Sequence, residues 1–217
     1  MRYEDPYPID QAALQRFLSY CRRRQYRSKG VVVRPGDPAS TLFYILEGSV
    51  SVIVEDEKGR EIVLTYLNKG DFIGEIGLFF HHERRGALVR ARTACELAEI
   101  RYSELQKLAE TKLKDDYPHL LFAVGLQLSR RLLHTTRKVS RLAFMDAAGR
   151  IARTLLDLCE EPDALSHPDG TQIHVSRQEL SRIVGCSREV VGRVLKDMED
   201  QGLITAAGMT IVVFHAR

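Results

Sequence analysis

From residue 119 to residue 144 the chain contains one glycine, Gly125, and no proline, and its apolar side chains recur at helical spacing. Leu121, Gly125, Leu128, Leu132, Thr135, Val139 and Leu142 alternate by four and three residues, the seam of a two-stranded coiled coil. Phe122, Leu126 and Leu133 form a second apolar stripe beside it. One stripe can face the rest of the chain and the other an identical helix, which predicts a dimerisation helix. A single buried helix with one wide apolar face is the competing reading.

The residues before this helix follow a different period. Val31-Val32-Val33, Leu42-Phe43-Tyr44-Ile45-Leu46, Val50-Ser51-Val52-Ile53-Val54 and Ile62-Val63-Leu64-Thr65-Tyr66-Leu67 are short β-branched or aromatic runs. Pro35-Gly36-Asp37, Glu47-Gly48, Glu57-Lys58-Gly59 and Asn68-Lys69-Gly70-Asp71 separate them with the residues tight reversals need, so Tyr26 to about Ile100 reads as an antiparallel β-roll. Ahead of it Asp10 can cap a short helix bearing Leu14, Phe17 and Leu18 and ending near Tyr20. Behind the long helix come a helix from Ala147 to Leu158, a Pro/His/Gly loop from Pro162 to Gly170, two further helices and a terminal hairpin from Leu203 to Phe214. The fold class is therefore α+β: an N-terminal antiparallel β-roll over residues 1–115, a coiled-coil helix over 116–145 and a C-terminal winged helix-turn-helix over 146–217.

Hydrophobic residues at 44% and charged residues at 28% suit a soluble globular chain and exclude disorder. A net charge of +3 neither demands nor excludes nucleic acid. Cys21, Cys95, Cys159 and Cys186 form no CxxC or CxxH pair, which argues against zinc, iron–sulfur and disulfide frameworks. The opening MRYEDPYPID lacks the character of a secretion signal and no apolar run spans a bilayer, so the expectation is a cytoplasmic protein without membrane association. No nucleophile–base pairing and no P-loop is visible, so neither an enzyme nor a resident cofactor is expected. A cupin-like metalloenzyme fused to a DNA module needs His and Glu ligands on neighbouring strands, and only the turn His81-His82-Glu83 offers them; the metal site is left empty.

The most specific constellation is RQELSRIVGCSREVVGRVLK, from Arg177 to Lys196. Leu180, Val184, Cys186, Val191 and Val194 sit where two crossing helices bury side chains, Ser181 is small where the backbones approach, and Gly185 supplies the turn. Ser187 then caps a second helix whose exposed side carries Arg188, Glu189, Arg193 and Lys196. Arginine can grip guanine O6 and N7, and a carboxylate can accept from cytosine N4, so base reading falls to Arg188, Glu189 and Arg193. Arg177, Gln178 and Ser187 are expected near the sugar-phosphate backbone. Such charges elsewhere merely solvate a helix; here the small residue, the turn and the buried pattern occur together.

A second segment, Gly70-Asp71-Phe72-Ile73-Gly74-Glu75-Ile76-Gly77-Leu78-Phe79 followed by Arg84-Arg85-Gly86-Ala87, joins glycines to one carboxylate and paired arginines. Backbone amides and an arginine can hold a phosphate, and Glu75 can accept from a ribose hydroxyl, although glycine-rich turns followed by charges are also simply structural. Thr135 places a hydroxyl in an apolar seam, where either a ligand or a carbonyl one turn back can satisfy it.

RQELSRIVGCSREVVGRVLK, GDFIGEIGLF, RLAFMDAAGRIARTLLDL and HPDGTQI resemble the motifs of the catabolite activator proteins, also called cyclic AMP receptor proteins, and the resemblance runs from Tyr20 through nearly all of the chain. It implies a β-roll of the cyclic-nucleotide-binding type, a symmetric homodimer, a palindromic duplex site with the recognition helix in the major groove, and contact with RNA polymerase through Ala164 to Gln172. It also implies allosteric control of transcription by a cyclic nucleotide, with cyclic AMP the expected effector. In that family the nucleotide is held by residues matching Gly74, Glu75, Arg85, Gly86 and Ala87, with Thr135 and Thr136 reaching the purine from the two helices. Gly86 stands where cyclic AMP binders carry a serine whose hydroxyl touches the phosphate. VGLQLSRRLLHTTRKVSRLAF and ALSHPDGTQIHVSRQEL are more similar to the catabolite-activator-like branch, which implies weakening of DNA binding by cyclic di-GMP; activity without nucleotide is the further alternative, in which Gly86 marks a decayed pocket and the coiled coil holds the active arrangement unaided. Two further polymerase-contact patches of the family are altered, at Arg22, Arg24 and Glu104 and at Glu55, Asp56, Glu57, Lys58 and Glu61.

Overall fold

The computed structural model describes residues 10–80 and 84–214. They fall into two units, one running to Val54 and resuming over Thr65–His134, the other made of Glu55–Leu64 and the chain from Thr135 onward.

In the first unit the Asp10 carboxylate accepts from the amides of Ala12 and Ala13 at 2.8 and 3.2 Å and starts α1 (Gln11–Ser19), which buries Leu14, Phe17 and Leu18 along one face. The strands are β1 (Arg22–Tyr26), β2 (Val31–Val33), β3 (Thr41–Glu47), β4 (Ser49–Glu55), β5 (Glu61–Asn68), β6 (Phe72–Ile73), β7 (Leu88–Ala91) and β8 (Cys95–Arg101). They form two four-stranded sheets, ordered β1-β8-β3-β6 and β2-β7-β4-β5, with β6 at an edge. The apolar run in β3 is explained by burial of both its faces. Phe43 and Ile45 join Val33, Val50, Leu67, Val89 and Leu97 in one core, while Leu42 and Tyr44 join Phe17, Phe72, Ala98 and Ile100 in the other. That second core is closed by α2 (Tyr102–Ala109) and by α3 (Tyr117–Phe144), the long helix the sequence predicts. Arg16 ties α1 to the residue ahead of α3, its Nε and Nη2 donating to Asp116 at 2.7 and 2.5 Å.

The stripe of α3 that enters this core is Leu120, Ala123, Val124 and Gln127, at i, i+3, i+4 and i+7. Leu128 of the first predicted stripe packs half-buried against the same core, but the stripe that lines it is displaced from both predicted ones, which corrects the expectation in register. Phe122, Leu132, Leu133, Val139 and Leu142 are 46–68% exposed. The roll-facing stripe is built largely from a small residue, a β-branched one and an amide, which a search for large apolar side chains passes over.

In the second unit, Asp56 shapes the turn between β4 and β5 by accepting from the Lys58 and Arg60 amides, each at 2.9 Å. Beyond that turn Glu61 meets Arg182 Nε at 3.1 Å, and the Val63 carbonyl accepts from the Lys138 ammonium. After α3 the order is α4 (Ala147–Cys159), β9 (Leu165–His167), β10 (Gly170–His174), α5 (Arg177–Val184), α6 (Arg188–Asp200), β11 (Ile204–Ala207) and β12 (Thr210–Phe214). The strands form one antiparallel sheet ordered β11-β12-β10-β9. The predicted loop from Pro162 to Gly170 therefore holds a strand, β9, whose exposed Leu165 and Ser166 gave it no apolar signature.

Candidate effector pocket and nucleic-acid interface

At the end of β6 the chain turns through Gly74 (φ 87°, ψ 10°) into a short 3-10 turn, Glu75–Leu78. A Cβ on Gly74 would lie 2.4 Å from Arg85 Nη1 and 2.9 Å from the Thr41 carbonyl oxygen, so both the positive φ and the close approach require glycine. Beside the turn lies a cavity of about 390 Å³, lined on its apolar side by Val33, Val52, Leu67, Ile73 and Val89 and on its polar side by Gly74, Glu75, Arg84, Arg85, Gly86, Ala87 and Arg131. That size suits a single nucleotide. The fold thus brings together Gly74, Glu75, Arg85, Gly86 and Ala87. Thr135 and Thr136 are exposed residues of α3 in the second unit and are not among the lining residues.

The charges nearest the turn already have partners within the chain. The Glu75 side chain is 4% exposed, and Arg131 donates to its carboxylate through Nη1 and to the Phe72 carbonyl through Nη2 at 2.6 Å. Arg85 donates to the Thr41 carbonyl and, at 3.2 Å, to the Tyr102 hydroxyl, which itself donates to the Gly74 carbonyl at 2.6 Å. Burial pushes the Tyr102 phenol above its ordinary range, and the neighbouring Arg85 pulls it partly back. Two of the five N–H groups on Arg85 are used, leaving others for an anion. A Cβ on Gly86 would meet no atom within 4 Å. Sequence reasoning missed Arg131, Tyr102 and Gln127. Gln127 and Arg131 were detectable as the polar continuation, at i and i+4, of the stripe that begins at Leu120.

In the second unit Ser176 and Ser187 cap α5 and α6, accepting from the Glu179 and Val190 amides at 3.1 and 3.2 Å, and Gly185 between them is left-handed (φ 72°, ψ 45°). Leu180, Val184, Val191 and Ser181 are buried as expected, whereas Cys186 and Val194 are only partly covered and Leu195, at 1% exposure, is the buried side chain of that turn of α6. Arg150 of α4 donates to the Val184 carbonyl at 3.3 Å and closes the end of α5. Gln178, Ser187, Arg188, Glu189, Arg193 and Lys196 are exposed or half-exposed. Arg188, Glu189, Arg193 and Lys196 form no ion pair among the described residues, so their charges face outward without an intramolecular partner. Arg177 is half-buried and donates to the Gly208 carbonyl at 3.4 Å, which fastens α5 to the turn of the β11–β12 wing.

A roll with a polar-rimmed pocket, followed by a long helix and a winged helix-turn-helix, defines the class of transcription regulators that carry a nucleotide-binding domain. Residues 23–112 match the cyclic nucleotide-binding domain and residues 149–216 the Crp-like helix-turn-helix domain. The chain belongs to the CRP-like family of DNA-binding transcription regulators, which are not enzymes. It is 54% identical over 209 residues to the CRP-like protein Clp of Xanthomonas campestris pv. campestris, covering 96% of this chain and 91% of that one, and equally to its counterpart in Xanthomonas axonopodis pv. citri. Among solved structures it resembles the c-di-GMP responsive global regulator CLP of Xanthomonas campestris, with a TM-score of 0.91 and 54% identity over 95% of this chain and 100% of that one. It also resembles a CRP/FNR-family transcriptional regulator of Thermus thermophilus, with a TM-score of 0.75 and 26% identity over 89% of this chain and 94% of the other. Among the described residues no helix is long and apolar enough to cross a membrane, and no group of three or more His, Cys, Asp or Glu could hold a metal ion. His81, His82 and Glu83 lie outside the described residues.

Proposed function

We propose that this chain acts in the cytoplasm as a homodimer on palindromic duplex DNA, binds its operator without nucleotide, and is weakened in that binding by cyclic di-GMP. The observation that carries the effector reading is the pairing of Glu75 with Arg131. The buried carboxylate finds its counter-charge within the chain, so no ligand is needed to complete the pocket. Gly86 adds no hydroxyl for a cyclic phosphate, and the Xanthomonas relative at 54% identity is c-di-GMP responsive. Cyclic AMP as an activator is the second reading, favoured by the gathering of Gly74, Glu75, Arg85 and Ala87 around a cavity of mononucleotide size.

Dimerisation uses Leu132, Val139 and Leu142 of α3, which are 51–68% exposed and so gain on burial a little over half of the about 1.5–3 kcal/mol that covering a fully exposed side chain contributes. In that dimer Thr135 and Thr136 reach toward the nucleotide. Arg188, Glu189 and Arg193 read bases, Arg177, Gln178, Ser187 and Lys196 hold the sugar-phosphate backbone, and the segment from Ala164 to Gln172 meets RNA polymerase. The division of labour follows residues 1–115, 116–145 and 146–217. Operator binding by the purified protein at fixed salt, alone and with each nucleotide, tests this reading. Tight binding alone, loosened by cyclic di-GMP and unmoved by cyclic AMP, is expected; binding that appears only with cyclic AMP overturns it in favour of the second reading.

A further inference from the structure

The strand that feeds the pocket is held by a helix side chain. Strand β6 lies at an edge of its sheet, paired on one side with β3, where Phe43 opposes Ile73 and Tyr44 opposes Phe72. Its other side meets Gln127 of α3. The Gln127 Oε1 accepts from the Phe72 amide at 2.6 Å and its Nε2 donates to the Phe72 carbonyl at 2.8 Å, so one amide side chain satisfies both peptide groups as a neighbouring strand would. Gln127 is 7% exposed, and one turn later Arg131 donates to the same carbonyl. The Phe72 ring is fixed separately. It is 1% exposed, packed edge-on against Tyr44 at 4.9 Å and beside Phe17 at 6.2 Å. Phe72 is thus a pivot whose side chain belongs to the core and whose backbone belongs to α3. Two residues further along the chain, Gly74 and Glu75 form the wall of the cavity.

We infer that Gln127 is the positioning residue that couples occupancy of the pocket to α3, by holding Phe72, and with it Gly74 and Glu75, to the helix. The inference rests on the nucleotide-regulated reading above. Gln127 does not line the cavity, so its removal spares the surface a ligand meets. It lies on the same continuous helix as the seam through which the dimer is proposed to form, so a displacement of Gly74 and Glu75 reaches that helix through the two hydrogen bonds of Gln127 beside the direct contacts of Arg131. The Gln carboxamide suits this role because it carries an acceptor and a donor on the same planar group and so meets both the N–H and the C=O of Phe72.

The test uses full-length Gln127→Leu, with nucleotide affinity and operator affinity measured separately using cyclic di-GMP and cyclic AMP as probes. Nucleotide affinity is expected to stay near wild type while the factor by which nucleotide changes operator affinity falls from the roughly 5–150-fold range of ordinary allosteric coupling toward one. A wild-type factor in the variant overturns the inference. A purely structural role would move stability and both affinities together, leaving the factor intact. If the variant does not fold, hydrogen exchange on the wild type decides. Nucleotide must change protection of residues 72–75 and 127–131 together, and a change confined to the first segment overturns the coupling. A wild type that binds neither nucleotide ends the regulatory reading itself, a different result from a responsive wild type with an equally responsive variant.

Discussion

Arg131 and Glu75, 56 residues apart in sequence, form an ion pair in which the carboxylate side is 4% exposed and the guanidinium side 22%. Removing one partner of such a pair leaves a buried charge without compensation, at a cost of about 3–5 kcal/mol, whereas removing both is close to neutral. Arg131→Met is therefore expected to lower stability by about that amount in urea denaturation, and adding the apolar Glu75→Met to restore most of it. Additive losses would show that the two side chains do not act as a pair.

Gly86 offers a complementary test because it gains a contact instead of losing one. A Cβ there meets nothing within 4 Å, so Gly86→Ser has room to enter and supplies the hydroxyl that the resemblance to cyclic AMP binders implies against the phosphate. A hydrogen bond to a charged group contributes about 1.5–3 kcal/mol, which predicts cyclic AMP binding at least about tenfold tighter by calorimetry. Unchanged affinity would mean that the phosphate does not lie beside Gly86.

The contrast between these two positions shows what the sequence can reveal. Gly74, Glu75, Arg85 and Gly86 lie in one short stretch, and a motif of glycines, a carboxylate and arginines exposes them together. Arg131 and Gln127 come from a helix far along the chain, and only the register of α3 against β6 brings them to Phe72 and Glu75. Periodicity locates α3 to within a residue or two, but it does not choose which of several apolar stripes faces the roll, since Phe122 and Leu133 are as apolar as Leu120 and lie exposed. The helix-turn-helix is legible because its turn, caps and buried positions are local. Its misplacement of Val194 for Leu195 is a single step around α6, a rotation of about 100°.

Alkaline titration separates two half-buried groups whose shifts have opposite sign. Burial, with repulsion from Arg141, pushes the Lys138 ammonium down to about 8, so between there and its ordinary 10.5 the unfolded chain binds more protons than the folded one. Stability then rises with pH across that window, by up to about 3 kcal/mol. Burial pushes the Cys21 thiol up to about 12 from 9.0, so above about 9 the folded chain holds a proton the unfolded one releases, and stability falls. Denaturation midpoints should climb from about pH 8 to about 9, level off while the two effects oppose each other, and fall above about 10.5. Lys138→Met should lack the climb and Cys21→Ala should soften the fall; a climb that survives Lys138→Met would assign it to another group.

On α6, three neighbouring residues are predicted to fail in three different ways. Arg193→Ala removes a guanidinium proposed to read bases and should cost about 1–3 kcal/mol on the operator while leaving binding to scrambled duplex little changed. Lys196→Ala should weaken both duplexes alike and reduce the slope of log affinity against log salt by about one, because a phosphate contact releases a counterion whatever the sequence. Leu195, between them, is 1% exposed, and Leu195→Ala should destabilise the fold by about 2–5 kcal/mol, so that its loss of binding tracks unfolding and disappears in the fraction that remains folded. Anisotropy titrations of both duplexes over a salt series, beside thermal melts of each variant, separate the three. Equal losses on operator and scrambled duplex for Arg193→Ala would remove that residue from base reading and leave it among the backbone contacts.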